Sequence, residues 1–163
     1  MSSDQFTAWV AAADSAMVAV TAANADALDA CLVGFHSQAS IHPARYVVWL
    51  SAANRTTAIA LHAAVLGVHL MTPDDLALAR HLGSVTQDDD PTKLAGVRTR
   101  RDASGAVLLE DCRSWFVGRI VGRFDGGDHH GFLLEPISAS CGGPRRLLRL
   151  HDVSDLEAGH PAD

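Results

Sequence analysis

A chain of 163 residues with a formal charge of -6 and 48% hydrophobic residues fits a single domain, long enough to bury a core without disulfides or a structural metal. Its 13 Lys and Arg against 19 Asp and Glu form no basic stripe beyond Arg145, Arg146 and Arg149, so nucleic acid, whose phosphates need clustered cations, is not an expected partner. The stretch Met1 to Val20 carries no Lys or Arg, and no apolar run approaches about 18 residues, so neither a secretory signal nor a membrane span is expected and the protein is placed in the cytoplasm.

In chain order, Asp4 to Ala13 reads as a short helix with Phe6, Trp9, Val10 and Ala13 on one side, packing across one end of the fold. Met17 to Ala22 and Ala30 to His36 are β-leaning runs around a polar loop, which suits a hairpin. Tyr46 to Leu50, Y-V-V-W-L, is a continuous apolar run after Pro43 and reads as a buried central strand. Thr56 to Ala64 has helical character, and Leu66 to Met71 returns to a strand. The clearest helix is Thr72 to Gly83: Thr72 as N-cap with Asp75 three residues on, Pro73 at the first helical position, and Gly83 ending it. Its Leu76, Ala79 and Leu82 must dock on a sheet. Ser84 to Pro91 is polar, acidic and aperiodic, and is expected to be a mobile surface loop. From Asp111 the pattern turns to period 2, with Phe116, Gly118, Ile120, Gly122 and Phe124 on one face of a long strand. Phe124 to His129, F-D-G-G-D-H, turns the chain, Gly131 to Ala139 runs back, Leu147 to Leu150 reads as a last strand, and 154–163 as a frayed tail.

Cys31, Cys112 and Cys141 are an odd number in no C-x-x-C arrangement and read as reduced thiols, most simply as small buried hydrophobes. The nine histidines include no H-x-x-x-H pair, so no structural metal is expected. Three stretches are candidates for chemistry. In S-A-A-N-R-T-T, Ser51 to Thr57, a strand delivers Asn54, Arg55 and Thr56 to a helix start, where free amides and a forked cation favour an anion. In A-C-L-V-G-F-H-S-Q-A-S, Ala30 to Ser40, Gly34 admits a planar ligand close to the backbone. The third is G-G-D-H-H-G-F, Gly126 to Phe132. Taken alone, each has a plainer alternative: a capped helix with Arg55 in solvent, an ordinary loop, and a hairpin turn with a solvated His.

In their order and spacing these stretches resemble the flavin reductase-like FMN-binding split barrels over residues 16–139. That family combines small or hydroxyl residues, a Ser-Leu-Asp-Pro-Pro turn, a hydrophobic strand ending in an Asn or Ser, Ser, Thr turn, and a late Gly-Asp-His hairpin. The counterparts here are L-V-G-F-H-S-Q-A-S-I-H-P-A-R-Y-V-V-W-L-S-A-A-N-R-T, L-G-V-H-L-M, C-R-S-W-F-V-G-R and G-D-H-H-G-F-L-L-E-P. The resemblance implies a mainly β fold with flanking helices: a six-stranded antiparallel split β-barrel with its core over about 16–152, working as a homodimer with flavin near the interface. It implies that Leu32, Val33, Gly34 and Phe35 face the isoalloxazine, that Ser51, Ala52, Asn54, Arg55 and Thr56 hold the ribityl phosphate, and that His129, after Asp128, stands by the flavin and the incoming nicotinamide. Gly34 and Phe35 depart from serines common in the family, His42 and Ala44 replace the Asp and second Pro of the turn, His69 takes a common Asn position, and Lys93 aligns with a lysine near the flavin mouth.

The implied activity is reduction of FMN, or of FAD, by NADH or NADPH, with reduced flavin passed to a monooxygenase or another acceptor. No G-x-G-x-x-G follows a strand, so the nicotinamide would share the flavin cleft. Two other outcomes stay open: an FMN protein that relays electrons without nicotinamide turnover, and a degenerate barrel acting through protein contacts.

Overall fold

The computed structural model describes residues 2–143 and 145–159. Nine strands form, β1 (Val18–Ala23), β2 (Leu28–Val33), β3 (His36–Ser40), β4 (Arg45–Ser51), β5 (Val65–Leu70), β6 (Thr99–Arg101), β7 (Val107–Leu109), β8 (Trp115–Asp125) and β9 (His129–Ser140). The helices are α1 (Ser3–Ala13), α2 (Arg55–Ala60) and α3 (Leu76–Ser84).

Seven strands make one antiparallel sheet in the order β2-β1-β5-β8-β9-β4-β3, and β6-β7 is a separate hairpin. The expected six-stranded barrel thus has seven staves. The run Ala30 to His36 is not one strand: Gly34 and Phe35 leave the ladder and divide it into β2 and β3. Because these two edge strands follow each other in the chain, the sheet curls back on itself, yet no ladder joins them and the barrel stays split. Two bonds brace the seam: the Trp49 N–H donates to the Phe35 carbonyl at 2.9 Å, and His36 Nε2 lies 2.7 Å from the Ala16 carbonyl.

The inner face of the sheet packs Val18, Val20, Val48, Leu50, Leu66, Val68, Phe132 and Leu134 into one core, with Phe116 and Ile120 of β8 against it. This is the face that the period-2 pattern assigns to Phe116 and Ile120. A second core lies between Met17, Ala19, Ala30, Met71 and the Ala79 and Leu82 side of α3. The α3 start is built as expected, since the Thr72 N–H and hydroxyl both donate to the Asp75 carboxylate at 2.8 and 2.7 Å; its first turn is 3₁₀ and its end falls one residue beyond Gly83. Cys31 and Cys112 are buried and Cys141 is exposed.

Three local expectations are corrected. Helix α1 buries nothing against the barrel, and Phe6 and Trp9 are 52% and 70% exposed; Ser2 and Gln5 close its start with a reciprocal capping box and Asp14 ends it in the left-handed region, so local caps maintain it without a packed face. The segment 147–150 forms a single bridge, Ala16 to Arg149, and then a 3₁₀ turn. Its backbone divides between two neighbours, with the Leu148 N–H on the Met71 carbonyl and the Leu148 carbonyl accepting from Met17, each at 2.8 Å, which leaves no length for a ladder. The expected frayed tail instead docks as far as it is described: Leu156 packs on the α3 core and the Gly159 N–H donates to the Gly83 carbonyl at 3.1 Å; residues 160–163 lie outside the described residues. Just past the Ser84 to Pro91 loop, Lys93 is buried, 2% exposed. Among the described residues, no helix is long and apolar enough to cross a membrane.

Candidate functional site

The chain leaves the β2 edge at Gly34, and a cavity of about 320 Å³ opens there. Leu32, Val33, Gly34 and Phe35 line one side, Trp49 and Leu50 of β4 another, and Ser51, Asn54 and His129 supply the polar groups. Sheet register brings the last of these together. Ser51 pairs directly with His129 across β4 and β9, and the Ala52 N–H ties the following turn to the Asp128 carbonyl at 2.8 Å.

The backbone at the β2 edge is suited to a ring with polar edges. In an antiparallel pair the N–H and C=O of one residue point to the same side, and residues two apart point alike. Ala30 directs its groups away from β1, since its N–H donates to the Asp29 carboxylate at 2.8 Å and its carbonyl accepts from Lys93 Nζ at 2.7 Å. Leu32 continues that row, and Gly34, just past the end of β2, lines the cavity beside it. Such unpaired edge groups are a natural docking strip.

His129 stands at the mouth, its ring 4.9 Å from that of Phe35 and its Nδ1 2.7 Å from the Asp128 carboxylate. That hydrogen bond holds the Asp128 pKa below the usual carboxylate value, so Asp128 stays an acceptor and fixes the imidazole with Nε2 free among the described residues.

The turn after β4 is ordered by its own side chains. Asn54 caps α2 by accepting the Thr56 N–H at 2.9 Å, and the Thr57 hydroxyl donates to the Ser51 carbonyl at 2.6 Å. The sequence candidates then separate. Leu32, Val33, Gly34, Phe35, Ser51, Asn54 and His129 share the cavity, whereas Ala52, Arg55, Thr56 and Asp128 do not line it. Arg55 faces a neighbouring cleft and pairs with Asp88 at 2.8 Å. Thr56 is fully buried, and its hydroxyl donates to Asp29 at 2.9 Å. Asp29 is also buried and meets Lys93 at 3.1 Å. Lys93 therefore sits inside the fold behind β2 and not at a mouth, because the buried Asp29 carboxylate needs a cation.

Several lining residues were not singled out by sequence: Met17, Cys31, Trp49, Leu50, Leu150 and Ala158. Trp49 stands out among them. Its indole lies over the β8–β9 turn so closely that a Cβ on Gly126 or Gly131 would come within 2.6 or 2.7 Å of it. Gly131, its direct partner in the sheet, is thus required for the ring to reach the cavity. Gly131→Val is expected to push Trp49 off its seat, costing about 1–3 kcal/mol by overpacking, and to shift the tryptophan emission maximum, which fluorescence during urea unfolding would read. An unchanged emission and midpoint would refute this placement.

Among the described residues no group of three or more His, Cys, Asp or Glu is placed to hold a metal ion. Residues 11–151 match the family model described as flavin reductase like domain. The chain belongs to the flavin reductase-like family. No curated protein matches the sequence. Solved structures share the flavin reductase-like fold at low identity. A putative flavin reductase from Haemophilus somnus 129PT superposes with a TM-score of 0.80 at 17% identity, covering 91% of this chain and 94% of that one. BorF, the flavin reductase component of a bacterial two-component tryptophan halogenase, gives 0.79 at 21%, covering 93% and 94%. The NADH:FAD oxidoreductase of Streptomyces globisporus gives 0.75 at 18%, covering 88% and 86%.

Proposed function

We propose that this flavin reductase-like protein is an NAD(P)H-dependent flavin reductase that passes two electrons from a reduced nicotinamide to a flavin, which then serves a monooxygenase or another acceptor. One observation carries this: a single cavity joins the free β2 edge at Leu32 to Phe35, the Ser51 to Asn54 turn and His129. The lining suits a flavin, since Leu32, Val33, Trp49 and Leu50 offer apolar surface for a flat ring while Ser51 and Asn54 stand where a polar tail would leave it. The flavin, when bound, supplies the electron-accepting chemistry.

The protein's own part is binding and orientation. Leu32 at the β2 edge and Gly34 just past it offer backbone groups to the ring edge. Ser51 and Asn54 meet the tail, with Ala52, Arg55 and Thr56 completing the turn that approaches the phosphate. Asp128 holds His129 so that Nε2 addresses the nicotinamide side of the cavity. The halogenase component and the NADH:FAD oxidoreductase with the same fold support this reading. Homodimerisation belongs to it, because Phe35 at the cavity mouth is 50% exposed and a second copy would cover it; the mass in solution tests that part.

The deciding experiment titrates FMN, FAD and riboflavin into the purified protein, then adds NADH or NADPH without oxygen and follows flavin bleaching. His129→Ala is expected to slow bleaching by about 100-fold, the lower end of a positioned side chain's contribution, with flavin affinity changed little. Unaltered bleaching in that variant would remove His129 from the reaction. Tightly held flavin that no nicotinamide reduces would turn the assignment to an electron relay, and failure to quench flavin fluorescence would remove the flavin altogether.

A further inference from the structure

A second cavity, of about 310 Å³, opens at the barrel end where β1 begins, and it shares no lining residue with the main one. Val18, Val68, Tyr46, Trp115 and Phe116 wall it, and the exposed Cys141 also lines it. The Arg100 guanidinium lies over the Trp115 ring, 5.2 Å from its centre, which brings a cation to this apolar wall. The same chain carries an uncovered surface of matching character. Helix α1 buries nothing, and its Phe6 and Trp9 rings, 6.4 Å apart and within 7° of parallel, are 52% and 70% exposed. The helix contains Asp4 and no Lys or Arg, the charge opposite to that of Arg100. Two uncovered apolar surfaces on one molecule mark an interaction site.

Within one copy the two surfaces are held apart. Asp14 ends α1 in the left-handed region, and its carboxylate accepts from the His151 N–H at 3.0 Å and lies 2.7 Å from His151 Nδ1. The Leu150 N–H donates to the Ser15 carbonyl at 2.9 Å, and the Met17 N–H to the Leu148 carbonyl at 2.8 Å. This stalk fixes the direction in which α1 leaves, away from the cavity that Val18 begins. From Asp14 to Val18 is at most about 14 Å of chain, and the 11 residues of α1 span about 16 Å. A two-fold axis beside the stalk therefore lays each helix across the other copy's cavity. We infer that Phe6 and Trp9 of one copy seat in this cavity of a second copy, which returns the same contact. Such an exchange covers both surfaces at once and closes as a dimer. At about 150–250 Å² per aromatic side chain, the exposed parts of Phe6 and Trp9 come to about 250 Å² per helix. With the matching wall and both seats, the exchange buries about 1,000 Å², enough for a specific interface. It does not depend on the flavin reading of the main cavity.

The test uses the full chain. Sedimentation is expected to show a dimer, and Phe6→Ser with Trp9→Ser to raise its dissociation constant about 100-fold. The urea midpoint of the dilute monomer should hold, because both rings are exposed in it. A short bismaleimide reads the seat separately. Cys31 and Cys112 are buried, so in Val10→Cys the reagent joins the introduced thiol to Cys141 or to its own counterpart. A covalent dimer that the parent does not give, and that disappears when Cys141→Ser is added, is the expected result. A link within one copy, a dimer that survives Cys141→Ser, a dimer that the parent also gives, or no link at all would overturn the exchange. So would a parent that stays monomeric at about 100 µM, or a double variant as dimeric as the parent, since pairing would then use another face, such as the Phe35 mouth.

Discussion

Replacing Lys93 with Met is expected to lower the unfolding free energy by about 3–5 kcal/mol, because it strands a buried carboxylate. The Lys93 and Asp29 side chains are 1% and 0% exposed and meet at 3.1 Å. The remaining partners of Asp29 are neutral: the Thr56 hydroxyl at 2.9 Å and the Ala30 N–H at 2.8 Å. They solvate the charge without balancing it. At about 2–4 °C per kcal/mol for a domain of this size, the melting temperature should fall by about 10 °C, and a urea series would give the free energy directly. Because Ala30 and Thr56 flank the β2 edge and the Asn54 turn, flavin affinity should fall as well. The double variant Asp29→Asn with Lys93→Met should recover part of the loss, since it leaves no buried charge unpaired. A single variant within about 1 kcal/mol of the parent, the usual worth of a surface ion pair, would show that the pair is not the internal strut described.

The second large effect is acid sensitivity centred on His69. Burial, opposed by its hydrogen bond to the Ala19 carbonyl and reinforced weakly by Arg100, pushes its pKa from the usual 6.5 down to about 4. The bonding agrees with a neutral ring: Nδ1 donates to the Ala19 carbonyl at 3.2 Å, and Nε2 accepts the Leu109 N–H at 3.0 Å. Between pH 6.5 and 4 the unfolded chain binds a proton there that the folded chain refuses. The stabilisation is therefore complete above about pH 6.5 and is lost as pH falls toward 4. From pH 7.5 to pH 5 this site alone should remove about 2 kcal/mol, read as the drop in urea unfolding free energy. His69→Asn, which places a non-titrating amide there, should flatten that slope. A parent protein with equal stability at both pH values would refute the neutral buried ring. Since Leu109 belongs to β7, the first structure to loosen should be the β6–β7 hairpin.

What could be read from the chain alone follows the range of the interactions involved. The start of α3 is written in adjacent residues, Thr72, Pro73 and Asp75, and the strand from Trp115 in a two-residue alternation, so both were legible. The Ser51 to Asn54 turn and the Asp128–His129 hairpin were legible as local sequence. Their meeting, Ser51 opposite His129, followed only with the resemblance. Other features depend on partners far along the chain. Thr56 looks like a phosphate ligand until Asp29, 27 residues earlier, takes its hydroxyl. Lys93 reads as a mouth residue only through its alignment with a family lysine, while its partner Asp29 lies on β2. Trp49 is hidden in Y-V-V-W-L, a run that reads as buried on both faces, although only contact with Gly126 and Gly131 decides which way its ring lies. The helical stripe of α1 is present, but periodicity cannot tell a face that is covered from one that is not.

The seam between the two edge strands has a further consequence. Leu32 follows Ala30 along the outer row of β2 and Gly34 comes just past its end, yet unlike Ala30 neither meets a buried lysine or carboxylate among the described residues. A ligand lying there would act as an added stave, closing from outside the gap that the chain leaves open. Hydrogen–deuterium exchange at the Leu32 and Gly34 amides should then slow on adding FMN while the β1 amides, already paired on both sides, keep their rates, so that occupancy of the seam could be followed without any redox turnover.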